Sequence, residues 1–97
     1  MADTVTVTVG VRLFADLAET VGENKIELRV ESESSKVTVG EAVDSLVSEY
    51  PDLEDRILDS NGIRRHINLL VNGDDAGPQT PVEDGDELGV FPPVSGG

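Results

Sequence analysis

The residues with the clearest chemical meaning lie together in "FPPVSGG", residues 91–97. Pro92 and Pro93 cannot continue a hydrogen-bonded strand ladder and favour an extended, pre-stiffened backbone. Gly96 and Gly97 carry no Cβ, so their backbone can pass through a channel too narrow for other residues. At its tip such a segment offers the Gly97 carboxylate. A carboxylate is inert toward amines and sulfur donors until it is activated. An ATP-dependent partner can convert it to an acyl-adenylate, from which a thiol, sulfide or lysine amine displaces AMP. The reacting atom then belongs to the backbone, and the protein is a carrier rather than an enzyme. The six residues beyond Phe91 reach at most ~20 Å, enough to enter a partner's active site while the body stays docked outside.

The side chains elsewhere do not assemble a catalyst. His66 is the sole histidine, and it precedes an expected strand. Ser95 has no base close in sequence, so a nucleophilic serine is not expected. The sequence contains neither a G-x-x-x-x-G-K-[ST] phosphate loop nor a G-x-G-x-x-G fingerprint. The acidic runs "ESES", "DLED" and "VEDGDE" lack the spacing of a calcium loop and read as solvated faces. The expectation is no catalytic side chain, no metal and no bound cofactor, with ATP consumed by the activating enzyme.

Composition narrows the class further. With 97 residues, the chain fits a single domain with a modest core. No apolar run approaches the ~20 residues of a transmembrane helix. "MADTVTVTVG" has neither a basic nor a long apolar segment, so a secretory signal is not expected. Cysteine is absent, which excludes a disulfide framework and thiolate chemistry. A cytoplasmic protein is the expectation. Twenty Asp and Glu against seven Lys and Arg give a net charge of −13, which argues against nucleic acid or anionic lipid as a partner, since phosphate contacts need clustered cations. Only Lys25 and Lys36 are lysines. An acidic, lysine-poor surface resembles proteins of salt-accumulating archaea, where short Debye lengths suppress self-repulsion.

The elements that must hold the tail follow from periodicity. "VTVTVGVRLF", residues 5–14, alternates Val5, Val7, Val9, Val11 and Leu13 against Thr6, Thr8, Gly10 and Arg12, the pattern of a half-buried strand. "ADLAETVG" allows a short helix closed by Gly22. "KIELRV" is a second strand, and "ESESSK" reads as a loop. In "TVGEAVDSLVSEYP" Thr38 and Glu41 have capping-box spacing. Val39, Ala42, Val43, Leu46, Val47 and Tyr50 form one helical stripe, and Pro51 ends it. "LEDRIL" allows another helical turn. "INLLVNG" is a strand with a turn at Asn72-Gly73. "DDAGPQTPVEDG" is a turn-rich connection with room for a short strand near Val82, and "DELGVF" is the last strand. The order fits an α+β domain with a mixed sheet of four or five strands packed against one main helix. A β-grasp sheet, with first and last strands side by side in its middle, suits it; periodicity alone does not fix that pairing. The expected division is a β-grasp domain over 1–91 and a protruding, flexible tail over 92–97. If Leu88 and Val90 face the core, alternation turns Phe91 outward, a candidate partner contact.

"VRLFADLAETVG", "TVGEAVDSLVSEYPDL", "HINLLVNG" and above all "DGDELGVFPPVSGG" resemble the MoaD family, the ubiquitin-like small subunit of molybdopterin synthase. They are also similar to the small archaeal modifier proteins. The likeness runs from about Val5 to Gly97, and its terminal motif is its most specific part. It implies a β-grasp fold, adenylation and thiocarboxylation at Gly97, and threading of the tail that depends on Gly96. It also implies a partner interface at Phe91 with Pro92 and Pro93, and an E1-like, MoeB-type activating enzyme. Two functions stay open on that resemblance. One joins Gly97 by an isopeptide bond to target lysines. The other makes it a thiocarboxylate sulfur carrier acting with a MoaE-type large subunit. A plain interaction module is a third reading. Lys25 and Lys36 are then the side-chain amines at which a chain of this protein on itself can grow.

Overall fold

The computed structural model describes residues 4–33, 35–60 and 62–92. Pro93, Gly96 and Gly97 lie outside the described residues. Strand β1 (Val5–Leu13) buries Val7, Val9, Val11 and Leu13 and turns Thr6 and Arg12 outward, as its alternation predicts. Helix α1 (Asp16–Val21) ends at Gly22, which adopts φ 91° and donates its N–H to the Ala18 carbonyl at 2.8 Å. Strand β2 (Lys25–Ser32) returns antiparallel to β1, from Arg12 opposite Lys25 to Val5 opposite Ser32. It runs further than expected into "ESESSK". The alternation continues past Val30 and carries Ser32, 3% exposed, onto the core face, where its hydroxyl donates to the Lys36 carbonyl at 3.4 Å.

Strand β3 (Val37–Thr38) leads into helix α2 (Val39–Glu49). Its capping box forms as the spacing predicts. The Thr38 hydroxyl accepts from the Glu41 N–H at 3.2 Å, and the Glu41 carboxylate accepts from the Thr38 N–H at 3.1 Å. Hydrogen bonding from Ser32 first, and from the Thr38 backbone and hydroxyl next, holds the Glu41 carboxyl below its ordinary pKa against the opposing effect of partial burial. A loop satisfies two more of the donors that a helix start leaves open: Val39 N–H donates to the Thr80 carbonyl and Gly40 N–H to that of Pro78, both at 2.8 Å. The stripe Val39, Ala42, Val43, Leu46 and Val47 is buried against the sheet.

A 3₁₀ turn (Pro51–Leu53) and α3 (Glu54–Ile57) follow and bury Leu53 and Ile57. Strands β4 (Leu58–Asp59) and β5 (Gly62–Ile63) form a small hairpin of their own. Strand β6 (Asn68–Val71) turns at Asn72-Gly73, φ 52° and 89°, into β7 (Asp74–Ala76). Asp74 and Asp75 have poor strand propensity, but consecutive positive-φ residues make the tight turn that sets them opposite Leu70 and Val71. Strand β8 (Pro81–Val82) pairs with β3, and β9 (Glu87–Phe91) completes the molecule. The main sheet is ordered β2-β1-β9-β6-β7. The first and last strands are parallel neighbours at its centre, Gly10 opposite Glu87 through Leu13 opposite Val90. This is the β-grasp arrangement.

Candidate functional site

The C-terminal segment follows β9 directly in the sequence, so whatever fixes β9 fixes the point from which that segment starts. Two clamps do so at its start. In the turn before the strand, the Glu83 N–H donates to the Asp86 carboxylate at 2.8 Å, and Gly85 takes φ 91°. The turn is tied to β1 through the Thr8 N–H to Asp84 Oδ1 at 2.7 Å and the Gly85 N–H to the Thr8 carbonyl at 2.8 Å. From the other side, Asn72 accepts from the Glu87 N–H at 3.0 Å and donates to Asp86 Oδ1 at 3.1 Å. The D-G-D-E segment is thus a turn hydrogen-bonded to two neighbouring elements.

Beyond the clamps the strand alternates as expected. Leu88 and Val90 are fully buried on the helix-covered face, while Phe91 lies on the other face. It is not a freestanding exposed ring: it is half-buried, and it stacks on Phe14 with centroids 3.9 Å apart and planes 11° from parallel. Parallel pairing of β1 with β9 sets Leu13 beside Val90, so the next residue of each strand meets its counterpart. Both of the chain's phenylalanines therefore stand at this one place. Gly89 makes room for the arrangement: a Cβ there would lie 3.1 Å from Phe91 Cε1 and 3.8 Å from the Leu70 Cβ. Phe14, Leu70, Gly89 and Phe91 line a shallow hollow of about 150 Å³, with Arg12 and Glu87 at its rim, 4.0 Å apart. Apolar and aromatic at its centre and charged at its edge, the surface has the composition of a protein-binding patch.

The structure brings Phe91 to this surface, and Pro92, which follows it, is half-buried. Pro93, Gly96 and Gly97 fall outside the described residues. Lys25 begins β2 opposite Arg12, and Lys36 precedes β3; both are exposed. His66 is exposed in the turn before β6. Among the described residues no group of three or more His, Asp or Glu side chains is placed to hold a metal ion, and no helix is long and apolar enough to cross a membrane. Sequence reasoning missed Phe14, Leu70 and Gly89. The signal for Phe14 was present in strand parity: it follows Arg12 on the outward side of β1, as Phe91 does on β9.

The ThiS family matches residues 11–97. Small archaeal modifier protein 1 of Haloferax volcanii is 45% identical over 87 residues, covering 89% of this chain and 97% of that protein. The molybdopterin synthase sulfur carrier subunit of Arabidopsis thaliana is 33% identical over 95 residues, covering 98% and 88%. The crystal structure of the H. volcanii modifier superposes with a TM-score of 0.83 at 43% identity, over 93% of this chain and 99% of that one.

Proposed function

Because the chain belongs to the ThiS family, we propose that it is a ubiquitin-like protein modifier joined through its C-terminal glycine to lysines of other proteins. The observation that carries this reading is its near full-length similarity to small archaeal modifier protein 1. An E1-like enzyme of the MoeB type binds the Phe14–Phe91 surface and receives the tail. There the Gly97 carboxylate attacks the α-phosphate of ATP, forming acyl-adenylate and releasing pyrophosphate. A lysine amine of the target then attacks the acyl carbon, AMP departs, and a proton is lost from nitrogen as the isopeptide bond forms. Gly96 lets the backbone thread, and Pro92 and Pro93 keep it extended. The protein contributes no catalytic side chain; it supplies an acyl group and a docking surface.

Similarity to a molybdopterin synthase sulfur carrier subunit supports a second use of the same adenylate. Sulfide attacks the acyl carbon, AMP departs, and a thiocarboxylate is left at Gly97 for a MoaE-type large subunit to use. One intermediate serves both readings. A tagged copy from the native host, compared with one lacking Gly96 and Gly97 under denaturing and reducing conditions, separates them. A ladder of heavier species that requires the two glycines is the expected result for a modifier. Free protein with one oxygen replaced by sulfur would leave only the carrier role, and unmodified protein throughout would refute both. Arg65 is the last trypsin site, so a digested target keeps residues 66–97 on its lysine. A Ser95→Arg variant shortens that remnant. Chains of the protein on itself would use Lys25 or Lys36; changing both to Arg should remove such chains and spare single attachment, and their survival through side-chain amines would exclude this route.

A further inference from the structure

Strand β2 is an edge of the main sheet, and its eight residues make it long for an unprotected edge. The hydrogen-bond parity of its ladder is fixed. Leu13 N–H donates to the Asn24 carbonyl at 2.9 Å, so Val11 with Ile26, Val9 with Leu28, and Val7 with Val30 are the narrow pairs that exchange backbone hydrogen bonds. The other side of β1 agrees, since the Gly10 N–H and the Thr8 carbonyl bond toward Asp86 and Gly85. Lys25, Glu27, Arg29 and Glu31 must therefore turn their N–H and C=O groups away from β1, toward the open edge. Among the described residues no hydrogen bond from another element meets those groups.

The same four residues carry every exposed side chain of the strand, because Ile26, Leu28, Val30 and Ser32 are buried. Their charges read +, −, +, −. In an otherwise strongly acidic chain the strand is locally neutral. These charges find no opposite partner across β1: Lys25 faces Arg12, Glu27 faces Gly10, Arg29 faces Thr8 and Glu31 faces Thr6. The ion pairs Arg12–Glu87 and Arg56–Asp16 do not involve them. Charges on an edge ordinarily discourage pairing. This order does the opposite for one partner. Run antiparallel to itself about Leu28, the strand sets Lys25 against Glu31 and Glu27 against Arg29, and the two-fold axis repeats both pairs. These positions are also the ones whose backbone groups face outward, so charge and hydrogen-bond register coincide.

We propose that β2 is a homodimerisation edge, through which two copies pair antiparallel about Leu28 into one continuous sheet. The helices then lie on the same face of that sheet. Beside the edge, Arg29 and the α2 residues Asp44, Ser45, Ser48 and Glu49 line an open groove of about 280 Å³, so Asp44 and Glu49 approach their own copies. With each body at −13, this repulsion opposes assembly at low ionic strength. Screening shortens the Debye length from ~10 Å at 0.1 M to ~3 Å at 1 M salt and relieves the longer-range terms, while cross-strand pairs in contact are screened least. Association is thus favoured by salt. Strand β9 lies two strands in from the edge, so the dimer leaves both Phe14–Phe91 surfaces open.

Sedimentation equilibrium of the full chain, up to millimolar concentration, in ~0.1 M and ~1 M KCl tests this. The expected result is a monomer at low salt and a concentration-dependent dimer at high salt, with the amide protons of Lys25, Glu27, Arg29 and Glu31 gaining exchange protection. Arg29→Glu makes two like-charge cross-strand contacts per dimer and should weaken association about tenfold or more. The exchange Glu27→Arg with Arg29→Glu restores complementarity and should restore the dimer. A wild type that stays monomeric at high salt, a dimer indifferent to Arg29→Glu, or a folded exchange variant that stays monomeric would each overturn the proposal.

Discussion

Replacing Phe14 by alanine removes the face on which Phe91 rests, and the cost follows from the geometry. Full burial of a phenylalanine is worth ~1.5–3 kcal/mol, and Phe14 is half-buried, so about 1 kcal/mol of transfer energy is at stake. Stacking at a centroid separation of 3.9 Å adds ~0.5–1.5 kcal/mol beyond area. Phe14→Ala should therefore destabilise by ~1.5–2.5 kcal/mol, and Phe91→Ala by a similar amount. The specific claim is the coupling. In a double-mutant cycle the second substitution costs less once the first is made, by the ~0.5–1.5 kcal/mol of the ring pair. A domain of this size has ~5–15 kcal/mol of stability, so every corner of the cycle should remain folded. Urea unfolding in concentrated salt, with common m-values across the four proteins, measures it. Additivity within ~0.3 kcal/mol would show that the rings do not support one another, and the account of how Phe91 is held would fail.

Three further perturbations probe other parts of the molecule. Gly89→Ala places a Cβ 3.1 Å from the Phe91 ring, so it should cost ~1 kcal/mol and shift the ring resonances of Phe14 and Phe91; unchanged ring shifts would refute the close approach. The lowered pKa of Glu41 gives a definite sign. A carboxyl whose folded pKa is depressed stabilises fully above its unfolded value of ~4.3, and that contribution is lost as pH falls through the folded pKa. Glu41→Gln should therefore reduce the acid-side fall in denaturant midpoint; an unchanged pH profile would contradict the role of the capping box. Finally, a net charge of −13 makes salt stabilising: the thermal midpoint should rise between ~0.1 M and ~1 M KCl, and a fall over that range would refute dominant self-repulsion.

How far the structure was legible in the residues depended on the range of the interactions. The buried face of β1, the Thr38–Glu41 capping box, the α2 stripe and the outward turn of Phe91 all follow from spacing within one element, and each is found as read. Strand β7 was missed because Asp74 and Asp75 argue against a strand locally, while the Asn72-Gly73 turn and pairing to β6 impose one. Ser32 looked like a loop residue because its burial depends on contacts with Lys36 and the helix start. At the site, Phe91 was identified from strand parity. The same parity turns Phe14 outward, but its role as the ring under Phe91 appears only when two strands from opposite ends of the sequence become neighbours.

That parallel pairing of Gly10–Leu13 with Glu87–Val90 also governs when the molecule becomes usable. Synthesis proceeds from the N-terminus, and β9 is made after every other strand of the sheet it enters. Until it inserts, β1 and β6 have no common neighbour, since they meet only through it. A nascent or truncated chain thus has an open gap where the sheet centre belongs, and Phe14 has no ring to stack on. Such long-range closure is slow compared with local helix formation. The strand that closes the gap is the one that leads directly into the tail. On the proposed function, an activating enzyme that reads the Phe14–Phe91 surface would meet that surface only after β9 has inserted, so ATP would be committed only to a finished fold.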